Sequence, residues 1–220
     1  MSLSPRWPYV VFDLDGTLVD TIGLIVDSYQ HAFTTVLGAP EDEVVIRSWI
    51  GQPLIRAFRE RSPERADELF ATYIEWNHAN TERLIRRYAG VDLLLADLAD
   101  AGVRCAVATS KLRGPAEAAL RLTGLDAYLS GPQALVTLED TEEHKPDPAP
   151  LLLAVERMGG TPAEAVYVGD AVVDVQAARR AGMAAVGVTW GAGARSDVVA
   201  ARPDVVADTV DDLRAALLGD

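Results

Sequence analysis

Six short apolar runs, rich in β-branched residues, recur along the chain at 9–12, 103–109, 134–137, 165–169, 184–189 and 204–207. They are nearly continuous runs, without the alternation of a half-exposed strand. A strand apolar on both faces must be covered on both faces, which is the situation of a parallel sheet between two helical layers. Helical periodicities fill the intervals, at 92–101, 115–123, 148–158, 172–181 and 210–218. The expected fold class is therefore α/β, a doubly wound parallel sheet.

Residues 21–90 break this alternation. Stretches 22–37, 41–50, 54–61 and 64–88 read as helices, with no convincing strand. Pro40, Gly51-Gln-Pro53 and Ser62-Pro63 punctuate them. The expected organisation is a core from residues 1–20 plus 91–220, with an α-helical cap domain inserted at 21–90. Leu69, Tyr73, Trp76 and Leu84 form a helical core stripe.

Composition narrows the partners. The 220 residues carry 33 acidic and 20 basic side chains, a formal charge of −13. Nucleic acid and anionic membrane surfaces both need clustered cations, so neither is expected as a partner. The longest uncharged stretch, 181–194, is too short and too rich in Gly and Ala to span a bilayer. The opening residues carry Arg6 and two prolines and no apolar signal segment, so a cytoplasmic protein is expected, as monomer or homodimer. The lone Cys105 lies in an apolar run and reads as a buried small hydrophobe. All the basic residues except Lys111 and Lys145 are arginines. A chain that otherwise prefers arginine keeps lysine where a compact ammonium is useful.

In a doubly wound sheet, ligands bind beyond the carboxyl ends of the strands. There lie Asp13 and Asp15, then Thr109-Ser110-Lys111, then Lys145-Pro-Asp-Pro148, then Gly169-Asp170 with Asp174. Taken singly, each is explicable as a turn or a helix cap, and Lys145 as a loop lysine. Together they bring four carboxylates and a lysine to one edge. Converging buried carboxylates repel unless they bind a cation, which implies a divalent metal.

These residues resemble the haloacid dehalogenase (HAD) superfamily of phosphohydrolases over nearly the whole chain. The matching pieces are Asp13-Leu-Asp-Gly-Thr-Leu-Val-Asp20, Thr109-Ser-Lys111, Lys145-Pro-Asp-Pro148 and Gly169-Asp-Ala-Val-Val-Asp174. The insert resembles the cap of the phosphoglycolate phosphatase and β-phosphoglucomutase type. The resemblance implies Asp13 as a nucleophile that becomes phosphorylated, and Asp15 as acid and base. It implies Mg²⁺ held by Asp13, Asp170 and the backbone carbonyl of Asp15. Asp174 would act on a metal-bound water or on Lys145. Thr109 and Lys145 would hold phosphate oxygens, helped by the backbone at Gly16 and Thr17. Asp15 favours phosphoryl transfer over dehalogenation, because a halide leaving group needs no proton. The sequence departs from the family at Ala171, where Ser, Thr or Asn is common.

The cap is expected to set the substrate. Trp49-Ile-Gly51-Gln52-Pro-Leu54 would face the core site as a loop. Arg47, Arg56, Lys111 and Arg113 are candidate contacts for a second anionic group, although solvated arginines are the plainer reading of the arginines, and Ser110 is a further candidate substrate contact. Trp76-Asn-His78, Ser110-Lys-Leu-Arg113 and Leu122-Thr-Gly124 resemble bacterial inorganic pyrophosphatases. Hydrolysis of a small anionic phosphate is the expected reaction, with 2-phosphoglycolate the first choice and pyrophosphate the alternative. A β-phosphoglucomutase-like transferase and a non-catalytic phosphate-binding or receiver-like protein are weaker alternatives.

Overall fold

The computed structural model describes residues 5–219. Strand β1 (Tyr9–Phe12) leads through a tight turn into the short β2 (Val19–Asp20). Four helices follow: α1 (Ile22–Leu37), α2 (Glu43–Trp49), α3 (Leu54–Arg61) and α4 (Ala66–Leu84). β3 (Arg86–Arg87) returns the chain to α5 (Val91–Asp100), β4 (Arg104–Ala108) and α6 (Arg113–Thr123). Then come β5 (Leu135–Val136), α7 (Ala149–Arg157), β6 (Ala165–Gly169) and α8 (Val172–Ala181). β7 (Ala184–Val188), α9 (Arg195–Ala200), β8 (Val205–Ala207) and α10 (Val210–Leu218) complete it.

The main sheet has six strands in the order β5-β4-β1-β6-β7-β8, and every pairing is parallel. Its two faces carry separate cores, because successive side chains of a strand point to opposite sides. Val10 and Phe12 pack with Leu94, Leu98, Leu120 and Leu213 on one face. Val11 packs with Leu151, Val155, Tyr167 and Val175 on the other. The expected α/β sheet with a helical insert is thus the observed one. Cys105 is free and buried in the first of these cores. A third cluster lies within α1–α4, built on Tyr29, Phe33, Trp49, Phe58, Leu69 and Tyr73. Trp76 and Leu84, further along the expected stripe, pack instead against the sheet's core.

Three details differ from the sequence reading. A strand does occur within 21–90: β3 pairs antiparallel with β2, Val19 opposite Arg87 and Asp20 opposite Arg86. The stretch 64–88 is not one helix, since a 3₁₀ turn at Pro63–Arg65 precedes α4, which stops at Leu84. α2 begins at Glu43 rather than at 41, because the Asp42 carboxylate accepts the Val44 N–H at 2.7 Å and caps the helix.

β1 is the pivot of the topology. The chain leaves it for β4 on one side and later for β6 on the other, which opens a crevice at its carboxyl end. The Asp13 N–H continues the β1–β6 ladder onto the Val168 carbonyl at 2.8 Å, and the Thr109 N–H continues β4 onto Val136 at 3.0 Å. Asp13 and Thr109 therefore stand at adjacent positions on the same sheet edge.

Candidate active site

The turn after β1 is fixed by its own backbone. The Leu14 carbonyl accepts the N–H groups of Thr17, Leu18 and Val19. Gly16 has φ of +80°, and a Cβ there would lie 2.5 Å from Asp170 Oδ2. Both the dihedral and the space demand glycine. The turn in return holds Asp170, since Thr17 Oγ1 donates to Asp170 Oδ1 at 3.3 Å. The Ala192 N–H donates to Asp170 Oδ2 at 2.7 Å from the loop after β7.

Asp13, Asp170 and Asp174 are all buried, and one carboxylate oxygen of each lies within 4.8 Å of the others. Lys145, also buried, supplies the positive charge. Its Nζ donates to Asp174 Oδ1 at 2.8 Å and to the Tyr167 hydroxyl at 3.0 Å. The Tyr167 hydroxyl in turn donates to the Ala108 carbonyl at 2.8 Å. The ammonium also lies 2.9 Å from Asp13 Oδ1, but in a direction that leaves this oxygen without a hydrogen bond. Asp174 is otherwise engaged, because its Oδ2 accepts the Ala171 N–H at 2.9 Å at the start of α8. It reaches the centre chiefly by holding Lys145.

Burial pushes the Asp13 carboxyl up to about 8; Lys145 opposes the rise, and the charges of Asp174 and Asp170 add to it. Burial and the Asp174 charge likewise raise Asp170 to about 7, against the Ala192 N–H. Burial works against the charge of Lys145, but Asp13 and Asp174 outweigh it and hold the ammonium well above the usual lysine value. Once ionised, three carboxylates around one ammonium leave an excess of negative charge. Hard oxygen donors with one oxygen free of hydrogen bonds fit a divalent cation such as Mg²⁺.

Asp15 faces the cavity rather than this cluster. Lys111 Nζ donates to both its oxygens, at 3.0 and 3.1 Å, and Thr21 Oγ1 donates to Oδ1 at 2.7 Å. The cavity, of about 390 Å³, is bounded below by Asp13, Asp15 and Thr109 and above by the cap. Cap and core touch where Ser110 Oγ donates to the Gly51 carbonyl at 2.9 Å.

A sequence profile described as haloacid dehalogenase-like hydrolase matches residues 10–188. The chain belongs to this family. The chain is 36% identical over 204 residues to pyrophosphatase PpaX of Bacillus velezensis, covering 93% of each chain. It is 35% identical over 204 residues to pyrophosphatase PpaX of Halalkalibacterium halodurans, covering 93% of this chain and 94% of that one. A Haemophilus somnus structure, described as a predicted phosphoglycolate phosphatase, superposes with a TM-score of 0.84 at 27% identity, over 94% of this chain and 96% of that one.

Within this HAD hydrolase the expected site residues separate into groups. Asp13, Thr109, Asp170, Asp174 and Lys145 gather at the sheet edge, while the Asp15 side chain stands outside the carboxylate cluster. Gly51, Gln52, Ser110 and Lys111 line the cavity, as do Trp49, Ile50 and Leu54 of the expected cap loop. Arg47 and Arg56 do not line it. Arg47 pairs with Glu43 at 2.8 Å on α2, and Arg56 is exposed on α3. Arg113 is engaged with Glu139 and Asp140. At the departure from the family pattern, a methyl group on Gly51 would meet the Ala171 Cβ at 3.5 Å, so the cap loop sits directly over that position. Tyr167 and Ala192 were not foreseen. Tyr167 reads as one more apolar residue of a buried strand, and Ala192 acts through its backbone alone. No helix among the described residues is long and apolar enough to cross a membrane.

Proposed function

We propose that this protein is a Mg²⁺-dependent hydrolase of inorganic pyrophosphate that acts through phosphorylation of Asp13. The observation that carries the reading is the likeness to proteins named pyrophosphatase PpaX along 93% of both chains. It supports pyrophosphate over 2-phosphoglycolate, the first choice from sequence. Lys111, beside Asp15 in the cavity, supplies a cation for the outer phosphoryl group.

Mg²⁺ held by Asp13, Asp170 and the Asp15 carbonyl would offset the charge of the phosphoryl group. Lys145, anchored by Asp174 and Tyr167, orients Asp13 and shares its charge. An Asp13 oxygen forms a bond to phosphorus as the bond to the bridging oxygen breaks, and Asp15 carries the proton that the departing phosphate takes up. In the second half a water attacks phosphorus, Asp15 accepts its proton, and the bond to Asp13 breaks. One pyrophosphate and one water become two phosphates. Thr109, next to Asp13 on the sheet edge, holds a non-bridging oxygen.

Phosphate release should be measured from pyrophosphate and from 2-phosphoglycolate, with Mg²⁺ and with EDTA, beside Asp13→Asn. Release from pyrophosphate is expected to be the faster. It should vanish with EDTA and fall at least ~10³-fold in the variant. Faster release from 2-phosphoglycolate would move the assignment to that ester, and no release from either would overturn it.

A further inference from the structure

Tyr167 is a buried tyrosine in an otherwise apolar strand, and its ring packs with Val11, Leu151, Val155 and Val175. Packing needs only the ring, which phenylalanine would supply without a buried hydroxyl to satisfy. The hydroxyl has two partners: it accepts a Lys145 N–H at 3.0 Å and donates to the Ala108 carbonyl at 2.8 Å. Tyr167 belongs to β6 and Ala108 to β4, and β1 lies between those strands. The side chain therefore crosses β1 on the face opposite Phe12, below the strand end that carries Asp13. The Ala108 carbonyl is part of the peptide that leads into Thr109. One hydroxyl thus ties Lys145 to the peptide that places Thr109.

An ammonium has three N–H groups. Asp174 Oδ1 takes one at 2.8 Å, and Tyr167 takes another. Two fixed bonds leave the third N–H a single direction. That direction is not onto Asp13, since Oδ1 lies 2.9 Å from Nζ and still receives no hydrogen bond. A hydrogen bond there would draw on the electron pairs that make the carboxylate a nucleophile. With Asp174 as its sole partner, the ammonium would be free to swing onto that oxygen. We propose that Tyr167 is a positioning residue for phosphoryl transfer: its hydroxyl aims the third N–H of Lys145 at the phosphoryl group and keeps it off Asp13 Oδ1. The inference rests on the proposed chemistry at Asp13 and is independent of which phosphate compound is the substrate.

Tyr167→Phe keeps the ring and deletes the hydroxyl. Asp174 still holds Lys145 in place, so its charge still attracts the phosphate. KM for pyrophosphate is expected to change less than about threefold. Per folded enzyme, kcat is expected to fall about 10- to 100-fold, because the loss is one of direction. A second readout needs no turnover. The sequence has two lysines, so ¹⁵N-lysine labelling gives two ammonium groups, and Lys111→Met leaves that of Lys145 alone. In that background Tyr167→Phe is expected to shift the Lys145 signal and to speed its hydrogen exchange with water about fivefold, the equivalent of one hydrogen bond.

A fall in kcat at constant KM, with the altered ammonium signal, upholds the inference. Unchanged kcat and KM would make the hydroxyl purely structural and overturn it. So would a rise in KM alone, or a fall in kcat with the Lys145 signal unmoved. Should the variant not fold, the unsubstituted protein decides: beryllium fluoride, a phosphoryl analogue, is expected to shift the Lys145 signal beyond its position with Mg²⁺ alone, and no shift overturns the inference. If 2-phosphoglycolate is cleaved and pyrophosphate is not, the pyrophosphate reading falls and the same kcat and KM comparison is made on that ester. No turnover of either compound overturns both.

Discussion

At the scale of single residues, the site is a problem in charge. Asp13 and Asp170 are raised to about 8 and about 7, first of all by burial. A carboxyl whose folded value lies above its unfolded one holds a proton in the folded state that the unfolded chain has released. Stability then falls as pH rises from the unfolded value near 4 toward the folded values. Metal binding needs the ionised carboxylates, so the same rise in pH favours it. Metal-stripped protein is therefore expected to lose Tm between pH 6 and 8.5. Added Mg²⁺ should raise Tm more at pH 8.5 than at pH 6. A metal-induced shift that is equal at the two values, measured by thermal unfolding, would show that these carboxyls do not change ionisation in that window. Asp13, Lys145 and Asp170 were legible because charged residues at the ends of apolar runs are conspicuous. Tyr167 was not, since its hydroxyl is the only polar feature of a side chain otherwise suited to a buried strand.

At the scale of elements, the strands and helices of the core were legible because burial on both faces leaves its mark on every residue. The pairing of β2 with β3 was not. Two residues define no period, and both residues of β3 are exposed arginines. These strands are the joints between core and cap, and the Ser110–Gly51 hydrogen bond is a contact across the mouth of the cavity. If the joints flex when the cap opens, trypsin cleavage after Arg86 or Arg87 reports the opening. Losing a hydrogen bond of about 1 kcal/mol in Ser110→Ala is expected to speed that cleavage about fivefold. Mg²⁺ with orthovanadate as phosphoryl analogue should slow it in the unsubstituted enzyme. Rates indifferent to both changes would mean that the joints do not move with the cap. The apolar cavity wall escaped the sequence for a related reason. An apolar helix face turned to its own core and one turned to a cavity have the same period, and Tyr73 serves both.

At the scale of the whole molecule, a chain with a formal charge of −13 must admit an anion. The two lysines of the sequence both stand at the site, Lys145 against Asp13 and Lys111 against Asp15. Each is already matched to a carboxylate, so little free positive field reaches outward from them. The Debye length is ~30 Å at 0.01 M salt and ~8 Å at 0.15 M. Raising salt over that range therefore screens the repulsion of the distant acidic surface and barely touches contacts made within a few ångströms. At constant free Mg²⁺, kcat/KM for pyrophosphate is expected to rise about two- to tenfold over this range, with kcat at saturation nearly constant. This is the opposite sign from an enzyme whose basic surface draws in its substrate. Initial rates at several ionic strengths decide it, because a fall in kcat/KM with salt would mean that local cations outweigh the net charge and steer the anion inward.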